Sequence, residues 1–170
     1  MSQQVTFKGT PVHVRGHLPQ ANEALPGFTL TTTDLKDVGL VRYEGKRKLL
    51  NIFPSLDTPT CSLSVQQFNR RLAEIDNVAL VQISADLPFA HARFCKAENV
   101  VGGENLSTFR SPSFAADYGV RLDSGPLAGL CARAVIVADS YNWVVYSELV
   151  AEIGDEPNYD AALTALKQAT

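Results

Sequence analysis

The sequence has few cysteines and few histidines, and this shortage excludes several classes of protein. It contains three cysteines and three histidines among 170 residues. An odd number of cysteines argues against a secreted scaffold held by disulfides. Structural metal sites usually pair their ligands about two to four residues apart, whereas Cys61, Cys95 and Cys131 are widely separated and the histidines are scattered. We therefore expect no metal site, and the cysteines are either inert buried thiols or redox-active.

A basic block and a long apolar run are also missing. The 15 basic residues are outnumbered by 18 acidic ones, and the net charge is -3. Nucleic acid is not an expected partner, because phosphate binding needs a concentrated positive patch. No stretch approaches the ~20 apolar residues of a membrane helix, and the polar N-terminus does not resemble a secretory signal. We expect a cytoplasmic protein without a membrane segment.

The patterns along the chain predict a single α/β domain over residues 1–170. Alternating residues at 5–8 and 11–15 predict an N-terminal β-hairpin. Further strands are predicted at 28–32, 48–53, 78–84, 134–137 and 143–146, and helices from Thr60, at 88–99, at 111–118 and from Asn158. A parallel unit at 48–84, followed by an antiparallel hairpin and helix at 132–169, predicts a mixed sheet with helices on both faces.

Cys61 lies where the strand that ends at Phe53 has looped into the next helix. It precedes Val65 by four residues, so it shares the buried face of that helix while lying in its first turn. The unpaired N–H groups and the positive end of the helix dipole favour a thiolate there, which is the nucleophilic form. From position alone, a nucleophile and a small buried side chain are equally good interpretations.

The residues that precede Cys61 favour the nucleophile. Pro54, Thr58 and Cys61 form the pattern P-x-x-x-T-x-x-C, which a given cysteine matches by chance roughly once in 400. Cys95 has a proline in the matching place but Ala92 instead of the threonine, and Cys131 matches neither position. The pattern therefore distinguishes Cys61 from the other two cysteines.

Several specific motifs extend this observation over almost the whole chain. They are the N-terminal hairpin and the segments SLDTPTC at 55–61, ISADLPFA at 83–90, RFC at 93–95, STFR at 107–110 and GLCARAV at 129–135. In these motifs the chain resembles the peroxiredoxins, specifically the bacterial thiol peroxidases, an atypical 2-Cys subgroup. The resemblance implies a thioredoxin-like fold and a thiol-dependent peroxidase that reduces hydrogen peroxide and organic hydroperoxides without a cofactor. It also implies a homodimer, with thioredoxin as the reductant.

The same resemblance assigns roles to individual residues. It implies that Cys61 is the peroxidatic cysteine, that Cys95 resolves its sulfenic acid in an intrachain Cys61–Cys95 disulfide, and that Arg133 is the active-site arginine. Thr58 and Pro54 match pocket residues. Fixed donors stabilise the charge on the leaving peroxide oxygen, which suits the guanidinium of Arg133 and the hydroxyl of Thr58. Pro54 offers no N–H group and would cover one side of the pocket.

The predicted helix at 88–99 has only a thin apolar stripe, formed by Ala90, Phe94 and Ala97, with Cys95 beside it. A disulfide requires Cα atoms within ~7 Å. Two cysteines on separate helices that flank a strand do not meet this condition in a rigid fold. We therefore expect the helix to loosen before a disulfide forms.

The roles that the resemblance implies do not include Cys131 or His91. Cys131 stands two residues before Arg133 and is expected to be a small buried side chain. His91 lies one helical turn before Cys95, and we expect it on the surface, where as a cation it would favour the Cys95 thiolate.

Two other functions suit a redox-active cysteine in such a fold. A thioredoxin-like disulfide oxidoreductase normally uses C-x-x-C, whereas here the residues are Cys61-Ser62-Leu63-Ser64. A redox sensor would signal through the same disulfide and would need a partner that the sequence does not identify. Consumption of hydroperoxide with a thioredoxin system separates the peroxidase from the oxidoreductase.

Overall fold

The structure, a computed structural model, describes residues 3–170, which form ten strands, four α-helices and one short 3-10 helix (Leu40–Tyr43). The strands are β1 (Gln3–Phe7), β2 (Thr10–Arg15), β3 (Leu30–Thr31), β4 (Asp37–Val38), β5 (Arg47–Ile52), β6 (Val78–Ser84), β7 (Glu104–Ser107), β8 (Arg121–Leu122), β9 (Ala134–Ala138) and β10 (Val144–Leu149). The helices are α1 (Pro59–Leu72), α2 (Pro88–Ala97), α3 (Phe114–Asp117) and α4 (Tyr159–Gln168). Within the described range, no helix has the length and apolar character needed to cross a membrane.

Seven of the strands form one mixed sheet in the order β10-β9-β5-β6-β7-β3-β4. β5, β6 and β7 run parallel, whereas β9 is antiparallel to both β5 and β10. β1 and β2 pair as the predicted N-terminal hairpin, and β8 extends that pair to a small second sheet. The predicted thioredoxin-like fold with a mixed sheet and an N-terminal hairpin is therefore confirmed.

The two faces of the large sheet carry separate apolar clusters, because side chains alternate across a strand. From β5, Leu50 and Ile52 join a large cluster with the hairpin and α3, whereas Leu49 and Phe53 point to the opposite face. There Leu49 packs in a cluster with buried apolar residues of α1 and α4, namely Phe68, Leu72, Ala162 and Leu166. Helices therefore cover both faces, as the sequence predicts.

Several details differ from the sequence predictions, and the two-residue strands β4 and β8 are among the elements that were not predicted. β7 was not predicted, since four residues of the pattern Glu-Asn-Leu-Ser carry little periodic signal. The strand predicted at 28–32 contains only Leu30 and Thr31. The apolar stripe predicted on α2 is wrong, because Ala97 is exposed and the buried residues are Pro88 and His91.

His91 is the clearest correction. The expectation of a surface histidine is wrong, because the side chain is 0% exposed. Polar partners on two strands make this burial tolerable, since they satisfy both ring nitrogens. These partners come from β6 and β7, which lie beside α2 only in the folded chain.

Candidate active site

Cys61 occupies the third position of α1. Pro59 begins the helix, at a position where its missing N–H group costs no helical hydrogen bond. Thr58 precedes it in extended conformation, but its hydroxyl does not cap the helix, because it donates to the Ser55 carbonyl at 3.0 Å. The first turn contains no acidic residue. The positive end of the helix dipole therefore acts on Cys61 without a carboxylate nearby in that turn.

The Cys61 side chain is enclosed by an apolar cluster. It is 0% exposed and packs with Phe53, Leu56 and Val65, and the side chain of Phe94 closes this cluster from α2. Pro54, which follows β5 directly, is also buried. The sulfur is therefore shielded from bulk water on the sides that these residues cover.

Arg133 supplies the charge that this apolar cluster lacks. It lies immediately before β9 and is only 2% exposed, and its Nη2 lies 3.3 Å from the Cys61 sulfur. Its Nε donates to the Ile153 carbonyl at 2.9 Å. Its Nη1 has no hydrogen-bond partner within the described chain. A buried guanidinium is costly unless it is paired, and its partners here are the Cys61 sulfur and the Ile153 carbonyl.

A carboxylate far along the chain supports this position of Arg133. Glu152, next to Ile153, accepts hydrogen bonds from the N–H groups of Gly154 and Gly9, each at 2.9 Å, and from the Thr6 hydroxyl at 3.1 Å. Glu152 thereby ties the hairpin turn to the loop that holds the guanidinium. Sequence reasoning missed this residue, because a single glutamate in a loop carries no pattern that reveals its partners.

A second carboxylate holds the loop before Cys61. Asp86 accepts hydrogen bonds from the Ser55 hydroxyl at 2.8 Å, the Leu56 N–H at 2.8 Å and the Ser84 hydroxyl at 2.5 Å. Asp86 follows β6, so the end of that strand fixes the segment between Pro54 and Thr58. Asp86 stands within one of the motifs shared with the family, but no local pattern indicates that its carboxylate binds this loop.

The structure does not bring Cys95 to Cys61. Cys95 is half-buried and lines a groove beside Ala92, the turn at 32–34 and residues 100–105, and burial raises the pKa of its thiol. Its neighbour Phe94 packs in the Cys61 cluster instead. In this conformation α2 therefore presents the aromatic ring, and not the second thiol, to the cluster around Cys61.

Cys131 is buried, as the sequence predicts, with an exposure of 1%. Burial raises the pKa of its thiol to about 12, and the negative charge of Asp86 acts in the same direction. A thiol in this environment stays protonated at neutral pH and is a poor nucleophile. Cys61 and Arg133 therefore form the one contact between a cysteine sulfur and a cationic side chain within residues 3–170.

The Cys61 sulfur lies in the first turn of a helix and contacts a buried guanidinium. This environment suits nucleophilic redox chemistry better than metal binding or a purely structural role. The fold and the site together define a thiol-dependent oxidoreductase of the thioredoxin-like class. Comparison with known proteins narrows this class.

The Redoxin family model matches residues 20–163. A curated thiol peroxidase of Vibrio cholerae serotype O1 is 46% identical over 162 residues, which are 95% of this chain and 99% of that protein. Among solved structures, a peroxiredoxin-like protein from Aquifex aeolicus superposes with a TM-score of 0.92 at 34% identity, over 97% of this chain and 96% of the other. A thiol peroxidase from Chromobacterium violaceum superposes with a TM-score of 0.90 at 29% identity, over 97% and 95%. The chain belongs to the redoxin family, and within it to the thiol peroxidases, which are peroxiredoxin oxidoreductases.

Proposed function

We propose that the chain reduces hydrogen peroxide and organic hydroperoxides through a Cys61 sulfenic acid and an intrachain Cys61–Cys95 disulfide that thioredoxin reduces. The observation that carries this proposal is the 3.3 Å contact between the Arg133 guanidinium and the Cys61 sulfur, with Nη1 of the same guanidinium left without a partner. Nη2 of Arg133 contacts the nucleophilic sulfur, and Nη1 remains available to donate to an oxygen of the substrate.

In the first step the Cys61 thiolate attacks one peroxide oxygen. The S–O bond forms as the O–O bond breaks, Cys61 becomes a sulfenic acid, and the second oxygen leaves as an alkoxide or hydroxide that takes up a proton. Donors aimed at this developing negative charge stabilise the transition state more than the ground state. Nη1 of Arg133 is such a donor. The hydroxyl of Thr58 becomes the second when it turns away from the Ser55 carbonyl, to which it donates in this structure. Pro54 limits access of water.

In the second step the Cys95 thiolate attacks the sulfenic sulfur, the S–O bond breaks as the S–S bond forms, and the hydroxide that leaves takes up a proton to become water. Cys95 faces the groove beside residues 32–34 and 100–105, whereas Phe94 occupies the Cys61 cluster. Resolution therefore requires α2 to open, which withdraws Phe94 and brings Cys95 to Cys61. Thioredoxin then returns both cysteines to thiols by dithiol exchange and leaves with the disulfide.

A homodimer located in the cytoplasm belongs to the same proposal and is supported by the resemblance to the family. Three apolar side chains within the motifs at 83–90 and 107–110 are exposed in the described chain, namely Leu87, Phe89 and Phe109. Sedimentation of the reduced protein tests the dimer directly.

The test is steady-state oxidation of NADPH with thioredoxin, thioredoxin reductase and either hydrogen peroxide or cumene hydroperoxide. We expect the wild type to turn over with both peroxides and Cys61→Ser to be inactive while it retains the fold. Reduction of insulin disulfides by the protein without peroxide would instead indicate a disulfide oxidoreductase. Turnover by Cys61→Ser would contradict the proposal.

A further inference from the structure

His91 lies in a buried polar site between α2 and the two strands β6 and β7. Its Nδ1 is 3.0 Å from Nδ2 of Asn105, and its Nε2 is 3.0 Å from the Ser84 hydroxyl. An amide nitrogen only donates, so Nδ1 is the acceptor and Nε2 carries the proton. Both ring nitrogens are therefore satisfied by strand residues when the imidazole is neutral.

The hydrogen bonds continue from His91 to the loop that precedes Cys61. Nε2 of His91 donates to the Ser84 hydroxyl, and this hydroxyl donates to Asp86 at 2.5 Å. Asp86 accepts the Leu56 N–H at 2.8 Å. A continuous set of hydrogen bonds thus connects the helix that carries Cys95 with the segment that carries Cys61.

We propose that His91 is a positioning residue for resolution: its neutral imidazole holds α2 closed, and its protonation favours the open helix in which Cys95 reaches Cys61. The proposal rests on the proposed function, because it concerns the step in which Cys95 attacks. In this proposal the protonation state of His91 determines how often α2 opens, and through that opening the rate at which the disulfide forms.

Because His91 is buried in the closed helix, acid favours the open helix. Burial lowers the pKa of His91 to about 4, and the Asp86 carboxylate opposes the shift only in part. In the open helix the side chain is in water, where a histidine has a pKa of about 6.5. At neutral pH the equilibrium between the closed and the open helix therefore hardly depends on His91. As the pH falls below about 6.5, opening takes up a proton, so the closed helix loses stability relative to the open one.

Of the groups around the imidazole, the Asp86 carboxylate favours protonation in the closed helix and so opposes opening, but the effect of burial is larger. Asp86, from the loop between β6 and α2, is the titratable group whose charge acts on it. β7 presents Asn105, and the end of β5 presents Phe53, whose ring lies 6.5 Å from the imidazole ring, and neither side chain titrates. On α2 itself, the cations are the exposed Arg93 and Lys96. A proton on Nδ1 would face the amino group of Asn105, which also donates.

This coupling predicts an unusual pH profile for resolution. Opening of α2 rises by roughly 20-fold between neutral pH and about pH 5. Over the same range the Cys95 thiolate falls by about tenfold per pH unit, because the pH lies below the pKa of the thiol. The two effects nearly cancel below about pH 6 in the wild type. Without a titrating side chain at position 91, only the loss of thiolate remains.

The experiment compares the wild type with His91→Gln, which retains a donor and an acceptor but does not titrate, and with His17→Gln, an exposed histidine paired with Glu23. Disulfide formation after one equivalent of hydrogen peroxide is followed by rapid quenching across the acidic range. We expect a nearly flat rate below about pH 6 for the wild type and His17→Gln, and a fall of about tenfold per unit for His91→Gln. Parallel profiles for all three proteins would overturn the inference.

Amide hydrogen exchange in α2 of the reduced proteins measures opening without peroxide. Corrected for intrinsic exchange, the protection of α2 should fall by roughly 20-fold between neutral pH and about pH 5 in the wild type and remain constant in His91→Gln. Protection that is independent of pH in both proteins would overturn the inference even if the disulfide forms. A helix that opens as expected in a protein that never forms the Cys61–Cys95 disulfide would instead overturn the proposed function.

Discussion

Phe94 packs into the cluster that encloses Cys61, and it does so from the position next to Cys95 in α2. The aromatic ring and the second thiol therefore cannot both face Cys61 in one conformation of the helix. In the proposed mechanism, packing of Phe94 protects the reduced site, and its withdrawal is a condition for resolution by Cys95. The balance between these two states decides whether a sulfenic acid is resolved or meets a second peroxide.

We predict that Phe94→Ala shifts this balance toward the open helix. Truncation of a buried phenylalanine typically costs about 3–5 kcal/mol, and less is expected here because Phe94 is only half-buried. Disulfide formation should become faster, and the fraction of Cys61 over-oxidised by excess peroxide should fall, as measured by mass spectrometry. Phe89→Ala, on the same helix but 67% exposed, serves as the control. Greater over-oxidation of Phe94→Ala would contradict this role.

Arg133→Ala should slow the first step and leave resolution unchanged. The variant removes the guanidinium that contacts the Cys61 sulfur and the unpartnered Nη1. Loss of one preorganised donor at such a site typically costs on the order of 10²–10³ in rate. Stopped-flow oxidation of Cys61 measures the effect, with Arg121→Ala, a partly exposed arginine that pairs with Asp123, as the control. Equal rates for the two variants would show that Arg133 has no part in the reaction.

The arrangement of the fold was largely predictable because it depends on local patterns. The alternating hairpin, the apolar runs at β5, β6 and β9, and the periodic face of α1 each carry a signal within a few residues. The same is true of Cys61, whose position at the start of α1 follows from adjacent residues. Short elements such as β7 carry too little of this signal.

The supporting residues of the site were not predictable in the same way. Glu152, Asp86 and the buried His91 act through partners that are distant in sequence and adjacent only after folding. A lone charged or imidazole side chain in a sequence usually indicates a solvated residue, and the expectation of an exposed His91 was wrong for this reason. The contact between Arg133 and Cys61 was suggested by resemblance rather than by any local pattern.

We predict that one equivalent of peroxide joins Cys61 to Cys95 and leaves Cys131 as a free thiol. Cys131 is 1% exposed, and burial raises the pKa of its thiol to about 12, so little thiolate is present to attack a sulfenic acid. Cys95→Ser should react once and stop, whereas Cys131→Ala should cycle almost normally. Peptide mapping checks the pairing. Steady turnover by Cys95→Ser, or a Cys61–Cys131 peptide, would assign resolution to Cys131.

The last prediction concerns Glu152, which ties the loop that holds Arg133 to the hairpin turn. Hydrogen bonds from the N–H groups of Gly154 and Gly9 hold the pKa of this carboxyl below its usual value. A carboxyl with a lowered pKa in the folded state stabilises the fold above its unfolded value of about 4.3 and loses this contribution as the pH falls through the folded value. The wild type should therefore lose thermal stability in acid more steeply than Glu152→Gln.

At neutral pH, Glu152→Gln should also slow oxidation of Cys61, because the amide weakens the hydrogen bonds that fix the loop carrying the Ile153 carbonyl, and with it the guanidinium of Arg133. The loss should be smaller than that of Arg133→Ala, since the guanidinium itself remains. Glu74→Gln, an exposed residue of the segment after α1, is the control for the change of charge. If Glu152→Gln and Glu74→Gln match the wild type in both acid stability and stopped-flow rate, the carboxylate does not position Arg133. A change in acid stability with an unchanged rate would limit Glu152 to holding the hairpin.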